Sequence, residues 1–310
     1  MKAEEFQVDS SENLWLRAGA CSACGLRDSN EDEHLMVCDW YPTASLFAVF
    51  DGHGGPAVSI LASRMLAKRL QEGLDSQEGD QNQTAWHSQF TRRRAVQTAF
   101  LAVDAQLAAK TAAFSSGSTC TAAAIWQPGK HETIEDHWVA NKYHVLLANL
   151  GDSRALVVDA SAKRIRGETI DHKPDMEEEQ ERILQAGGVV TGIGDHFPSR
   201  INGDLSVSRS FGDFRLKDCD ALSPEQQKVS SLPDVYEIDC QGGDLVVLAC
   251  DGAFDVLESS EVSKLVCDAI AVKDASEDLS HVAKAVVEEA LKRGSTDNVT
   301  CVVVQLMTMV

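Results

Sequence analysis

Four aspartates stand at the ends of apolar runs. Leu46-Phe47-Ala48-Val49-Phe50 leads into Asp51-Gly52, Leu146-Leu147-Ala148-Asn149-Leu150 into Gly151-Asp152, and Leu245-Val246-Val247-Leu248-Ala249-Cys250 into Asp251-Gly252. Asp297-Asn298 immediately precedes the apolar run 299–306. One Asp-Gly after a strand is a turn signal and nothing more. Four such acids on core strands could be carried to a common rim, where carboxylates repel one another unless a cation lies among them. Oxygen donors alone select a hard cation such as magnesium or manganese. Glycine beside three of the acids permits close backbone approach and could offer a carbonyl ligand.

Two further groups supply what a metal centre alone lacks. Arg27-Asp28-Ser29-Asn30-Glu31-Asp32-Glu33 combines acids with an arginine that can hold an anion bidentately. His53, in Asp51-Gly52-His53-Gly54-Gly55, is poised for proton transfer beside a candidate metal ligand. These parts suit metal-assisted phosphoester hydrolysis: two divalent ions sharing an aspartate lower the pKa of a bridging water, an arginine orients the phosphate, and a histidine protonates the leaving oxygen.

The elements that must position these residues are legible as patterns. Strands are expected at 46–50, 144–150, 245–250 and 299–306, with a weaker one at 121–126. Helical spacing recurs in Val58, Leu61, Ala62, Met65, Leu66 and Leu70, in Val96, Ala99, Phe100, Val103 and Leu107, and in Leu279, Val282, Ala283, Val286 and Ala290. Residues 73–90 read as a surface loop, and Arg92-Arg93-Arg94 as the solvated opening of a helix. Residues 1–14 read as a polar lead-in. Strand and helix patterns mix over 15–310 with no dividing linker, so a single domain is expected.

Composition narrows the function. The 310 residues carry 28 Lys plus Arg against 48 Asp plus Glu, a net charge of −20, which excludes a general nucleic-acid binder and argues against a protein held on anionic lipid by basic patches. No apolar run approaches the roughly 18 residues of a membrane span, and the acidic N-terminus lacks the apolar core of a signal peptide. The expectation is an intracellular protein, in the cytoplasm or else the nucleus, with a monomer as the default. The nine scattered cysteines read as free thiols of a reducing compartment. Cys21-Ser22-Ala23-Cys24 has no second pair at zinc spacing and is read as small strand residues.

In chain order the motifs resemble those of the metal-dependent protein phosphatases, the type 2C serine/threonine family. They are Gly25-Leu26-Arg27 through Glu31-Asp32; Val49-Phe50-Asp51-Gly52-His53-Gly54-Gly55; Gly117-Ser118-Thr119; Asn149-Leu150-Gly151-Asp152-Ser153-Arg154; Asp171-His172-Lys173-Pro174; and Ala186-Gly187-Gly188. Leu205-Ser206-Val207-Ser208-Arg209-Ser210-Phe211-Gly212-Asp213, Cys250-Asp251-Gly252-Ala253-Phe254-Asp255 and Ser295-Thr296-Asp297-Asn298-Val299-Thr300 complete the series.

The resemblance implies an α+β fold, a four-layer αββα sandwich of two antiparallel β-sheets flanked by helices. It implies an enzyme that hydrolyses phosphoserine and phosphothreonine in phosphorylated protein substrates, with two or three divalent cations, magnesium or manganese. Position by position, Asp51 resembles the ligand shared by two metals, and Asp251 and Asp297 resemble ligands of the first. Glu31 and the Gly52 carbonyl would serve the second, with Asp32 acting through water. Asp152 and Asp255, with Asp251, resemble a third site. Arg27 matches the phosphate-binding arginine, His53 the general acid, and Asn298 a supporting or water contact. Residues 171–202 correspond to a flap beside the site, with a helix at 176–185 followed by the stretch 191–196. The alternative is a catalytically silent binding or scaffold protein on the same fold.

Overall fold

Strand residues here alternate between two apolar environments. In Ala44–Phe50, Phe47 and Val49 enter one buried cluster while Leu46, Ala48 and Phe50 enter another. In Val299–Leu306, Val302, Val304 and Leu306 face one way, and Val299, Cys301 and Val303 the other. Successive side chains of a strand point to opposite faces, so a strand apolar at every position must be covered on both. The chain therefore needs at least four layers.

The computed structural model describes residues 5–41, 44–75, 89–111, 115–126, 141–192, 194, 198–272 and 278–308. A six-stranded sheet runs in the order Phe6–Glu12, Leu16–Ala23, Val299–Leu306, Leu245–Ala249, Arg154–Asp159, Arg164–Glu168. A five-stranded sheet runs Asp234–Gln241, Lys142–Leu150, Cys120–Trp126, Ala44–Phe50, Glu33–Tyr41. Every pairing in both is antiparallel. Between the sheets lies a core that includes Leu16, Phe47, Ile125, Val145, Val246, Leu248 and Val302. Helices Ser259–Val272 and Ser280–Lys292 cover the outer face of the first sheet through Val262, Val266, Val282 and Val286. Helices Ala57–Asp75 and Gln89–Thr111 cover the second through Val58, Leu66, Phe100 and Val103. This is the αββα sandwich that the motifs imply.

The expected strands and helices are present with small changes of boundary, and the weak run at 121–126 is the middle strand of its sheet. The polar lead-in needs correction: Phe6–Glu12 is an edge strand, folded back on Leu16–Ala23 by a turn at Asn13. The Asn13 carboxamide oxygen accepts from the Trp15 and Leu16 amides at 3.1 and 3.0 Å. The strand is mostly exposed, so it carries no apolar alternation to read. The surface loop is also shorter than expected, because residues 73–75 and 89–90 continue the helices on either side. The rest of that loop, 76–88, lies outside the described residues. Arg92 is not solvated: its guanidinium meets Glu237 at 2.6 Å and ties its helix to the sheet below.

Between the two large sheets in sequence, a separate small core of Ile183, Ile201, Leu205, Val207, Leu216 and Val229 holds the expected flap region. Its helix spans Glu177–Gln185 with Met176 as the capping residue. Of the stretch 191–196, positions 193, 195 and 196 lie outside the described residues.

Candidate metal centre and active-site cleft

Antiparallel pairing decides where the strand-end acids go. Cys120–Trp126 lies between Ala44–Phe50 and Lys142–Leu150 and opposes both, so the last residues of those two strands share one edge. Asp51 follows one of them directly, and Asp152 follows the other after Gly151. Leu245–Ala249 opposes Val299–Leu306, so Asp251, just past the end of one, adjoins Asp297 and Asn298, just before the start of the other. Glu33 pairs with Phe50, which brings Glu31 and Asp32 beside Asp51. Thr119 clasps two of these ends together. Its amide donates to the Asp51 carbonyl at 2.9 Å, and its hydroxyl lies 2.7 Å from that of Ser153.

Carboxylate oxygens of Asp51, Asp152 and Asp251 lie within 4.8 Å of one another, and Asp32, Asp51 and the Cys250 thiol form a second such group. Backbone must approach closely here. A Cβ on Gly52 would stand 2.3 Å from the Glu31 carbonyl oxygen, and one on Gly252 2.0 Å from that of Asn298. Burial pushes the Asp251 carboxyl up to about 8, with Asp152 and Asp255 adding repulsion. Burial pushes Asp32 up to about 7, against hydrogen bonds from Thr300 and Cys250 and with the help of Asp297 and Glu31. Asp51 is also held well above the carboxylate range, by burial first and then by Asp251, Asp32 and Asp152. Asp255 is raised too, by partial desolvation first and then by Asp152, Asp297 and Asp171, though Lys173 opposes this. Asp32 Oδ1 and Asp152 Oδ1 are buried and have no hydrogen-bond partner. An all-oxygen group that repels itself and keeps orphaned acceptors fits a divalent cation.

The other expected residues are placed as follows. Glu31 Oε2 accepts from the Gly55 amide at 2.9 Å. Asn298 accepts from the Glu31 amide at 2.8 Å and donates to the Cys24 and Ser29 carbonyls. It is a bracket between the acidic segment and the strand start. Asp297 stands apart from the tight triad and meets Arg27 at 2.6 Å across 270 positions of sequence. Arg27 is exposed, with its other guanidinium nitrogens open to the cleft. His53 donates or accepts through Nε2 at 2.7 Å from Asp213, a wholly buried carboxylate. Burial alone would lower the histidine's pKa, but Asp213 carries it above its ordinary value. Asp255, one turn past Asp251, is exposed. Cys21 and Cys24 join no group able to hold a metal among the described residues, and burial pushes the Cys21 thiol up to about 12. All nine cysteines are free.

These groups surround a cleft of ≈620 Å³. Asp51, Asp152 and Asp251 lie in it together with Arg27, Glu31, Gly52, His53, Asp297 and Asn298, and Arg200 and Arg215 also line it. Two functional candidates had motifs but no assigned role. Lys173 reaches into the acids and pairs with Asp152. Asp213 carries the same Gly-Asp signal as the strand-end acids, but the strand before it is only Phe211–Gly212, too short for an apolar run to mark.

Comparison with known proteins identifies the family and the fold. The protein phosphatase 2C family model matches residues 16–299. Protein phosphatase ppm-1.A of Caenorhabditis elegans is 35% identical over 98% of this chain and 62% of its own length. Protein phosphatase 1B of Homo sapiens is 32% identical over 98% of this chain and 60% of its own. The chain thus spans about three-fifths of these two relatives. Among solved structures, a phosphatase from Toxoplasma gondii superposes with a TM-score of 0.81 at 26% identity, covering 98% of this chain and 96% of that one. A serine-threonine phosphatase 2C from Toxoplasma gondii shares the fold, with a TM-score of 0.74 at 23% identity, covering 97% of this chain and 99% of that one.

Proposed function

Because the chain belongs to the protein phosphatase 2C family, we propose that it hydrolyses phosphoserine and phosphothreonine in proteins, using two or three magnesium or manganese ions. The observation that carries this reading is the self-repelling triad of Asp51, Asp152 and Asp251 in the cleft, with the orphaned Oδ1 of Asp152. Asp51 would be the ligand shared by two ions. Asp251 and Asp297 would hold one ion, Glu31 and the Gly52 carbonyl a second with Asp32 acting through water, and Asp152 and Asp255 with Asp251 a third. Bound there, the cations supply Lewis acidity and lower the pKa of water.

The chain's own residues do the rest. Arg27 spends one nitrogen on Asp297 and offers the others to the phosphate. His53 lines the cleft and gives a proton to the departing seryl or threonyl oxygen. Lys173 pairs with one oxygen of Asp152 and offsets part of the repulsion among the acids. Asn298 keeps the Glu31 segment against Asp297. Residues 15–310 act as one catalytic domain and residues 171–202 as its flap. No described helix is long and apolar enough to cross a membrane.

The test is turnover of a phosphothreonine peptide panel with magnesium, with manganese and with chelator. Activity should appear with either ion and vanish with chelator. Asp251→Asn should lower kcat by at least about two orders of magnitude, because a carboxylate that holds the activating ion is gone. Full activity in chelator would sink the reading. No turnover with any metal would favour the silent scaffold.

A further inference from the structure

His53 is not free in its cleft. It lies on a three-stranded ribbon in which Gly52–His53 pairs with Gly117–Ser118, and that strand pairs with Phe211–Gly212. Gly117 is the register partner of both His53 and Gly212. Asp213 follows directly and turns back with φ +50°, a left-handed conformation that a non-glycine residue adopts only where its surroundings enforce it. The enforcing contacts are present. The Asp213 amide donates to the Ser116 carbonyl at 3.2 Å, and the Gly212 amide to Asp104 at 2.8 Å. Lys217 reaches both Asp104 and the Ser210 carbonyl, at 2.8 and 2.9 Å.

The turn delivers a wholly buried carboxylate to the far side of the imidazole. Asp213 Oδ2 lies 2.7 Å from His53 Nε2 and accepts from the Ser210 hydroxyl at 2.6 Å. Nothing larger than glycine fits between these groups: a Cβ on Gly117 would stand 2.0 Å from Asp213 Oδ2 and 2.4 Å from His53 Nε2. Nδ1, the other ring nitrogen, has no hydrogen-bond partner among the described residues.

We propose that Asp213 is the positioning residue of His53, accepting the Nε2 proton so that Nδ1 is the nitrogen that serves the leaving group. This rests on His53 being the proton donor. In the step, water forms the new P–O bond and the bond to the seryl or threonyl oxygen breaks. That oxygen takes the proton from Nδ1, and Nε2 keeps its proton on Asp213. The ring ends neutral and regains its proton from solvent, which receives the one released by the attacking water. A carboxylate on one imidazole nitrogen fixes the tautomer and the ring's direction without itself being protonated. Ser210 holds the carboxylate in turn.

The experiment compares His53→Gln, Asp213→Asn, their double variant and Ser210→Ala, all with saturating manganese. Substrates are a phosphothreonine peptide, with a poor leaving group, and p-nitrophenyl phosphate, with a good one. His53→Gln and Asp213→Asn should each lower peptide kcat about 10²-fold, and the aryl phosphate less than about tenfold, since proton donation matters most for the poor leaving group. The double variant should fall no further than His53→Gln, as expected of groups that act as a unit. Ser210→Ala should show the same leaving-group bias at about a tenfold loss on the peptide. On the magnesium-loaded protein at pH 8, nitrogen-15 spectra of labelled histidine should show His53 protonated at Nε2, and Asp213→Asn should abolish that preference.

Selective loss in His53→Gln with none in Asp213→Asn, or additive losses in the double variant, would overturn the proposal while leaving His53 as donor. Equal losses on both substrates in His53→Gln would instead remove the donor reading on which it rests. Should Asp213→Asn fail to fold, Ser210→Ala and the wild-type tautomer decide: absence of both the bias and the Nε2 proton overturns it.

Discussion

Glu179, within the flap, and Asp152, at the cleft, are each 2% exposed, yet the fold treats them in opposite ways. Glu179 accepts from Arg182 at 2.7 Å, from Arg209 at 3.0 and 2.7 Å, and from the Ser208 hydroxyl at 2.5 Å. Arg209 in turn meets Asp234 at 2.9 Å, and Arg182 spends its remaining donors on the Gln227 and Ser208 carbonyls. Burial pushes the Glu179 carboxyl up, but the two arginines win and hold it at about 2. Around Asp152 lie Asp51 and Asp251, with Lys173 as the one cation among the described residues that hydrogen-bonds into the triad, and at Asp251 burial plus repulsion wins. One network is complete within the chain, and the other is complete only when something positive arrives from outside. The net charge of −20 is therefore not spread evenly in meaning: some acids crowd at the cleft, some are neutralised in buried networks such as that of Glu179, and others lie on the surface.

The largest expected effect breaks the finished network. Glu179→Gln leaves Arg182 and Arg209 buried without their carboxylate and should cost roughly 3–5 kcal/mol, the usual consequence of removing one partner of a buried ion pair. Denaturant melts would measure it, and a loss near zero would mean that the two arginines find other partners.

The pH dependence of the metal-free protein separates the two regions by sign. Asp251 and Asp32 have folded values raised to about 8 and about 7 from an ordinary 3.8, so the stability they contribute is present below about pH 4 and is lost as pH rises through 7 to 8. Glu179 is lowered to about 2 from an ordinary 4.5, so its contribution is present above 4.5 and is lost as pH falls toward 2. Thermal melts in chelator should peak near pH 4–5 and decline on both sides. Saturating magnesium should flatten the alkaline limb and leave the acid limb unchanged. Asp251→Asn should flatten that same limb without any metal. An alkaline limb that stays flat in chelator would mean that the acids are not in repulsion.

The two regions were also unequally legible in the sequence. Asp51, Asp152 and Asp251 stand where a run of apolar residues stops, and antiparallel pairing carries such ends to one edge, so their meeting could be anticipated from residues alone. The sandwich around them could not, and it rests on the order of motifs. Glu179 gave no signal: it sits in Glu177-Glu178-Glu179 at the start of a helix, where acids are ordinary, and its partners at 182 and 209 are set by the fold of the flap. Phe6–Glu12 was missed because an exposed edge strand needs no apolar face. Asp213 was missed because its strand is two residues long. The pairing of Arg27 with Asp297 joins positions 270 residues apart, and no local pattern encodes that.

Lys173 tests the boundary between the two kinds of site, because it is a small piece of internal neutralisation placed inside the unfinished one. Burial lowers its pKa, but Asp152 carries it above the ordinary lysine value. If the ammonium competes with an incoming ion for Asp152, Lys173→Met should bind magnesium or manganese about tenfold more tightly by calorimetry, a change of about 1.4 kcal/mol. The same variant should melt lower in chelator, since Asp152 then lies buried with no cation at all. Weaker ion binding would show the reverse, that Lys173 holds Asp152 in the direction the ion requires. The small size of the expected change follows from the geometry: Lys173 occupies one oxygen of Asp152 and leaves Oδ1, the orphaned one, for the ion.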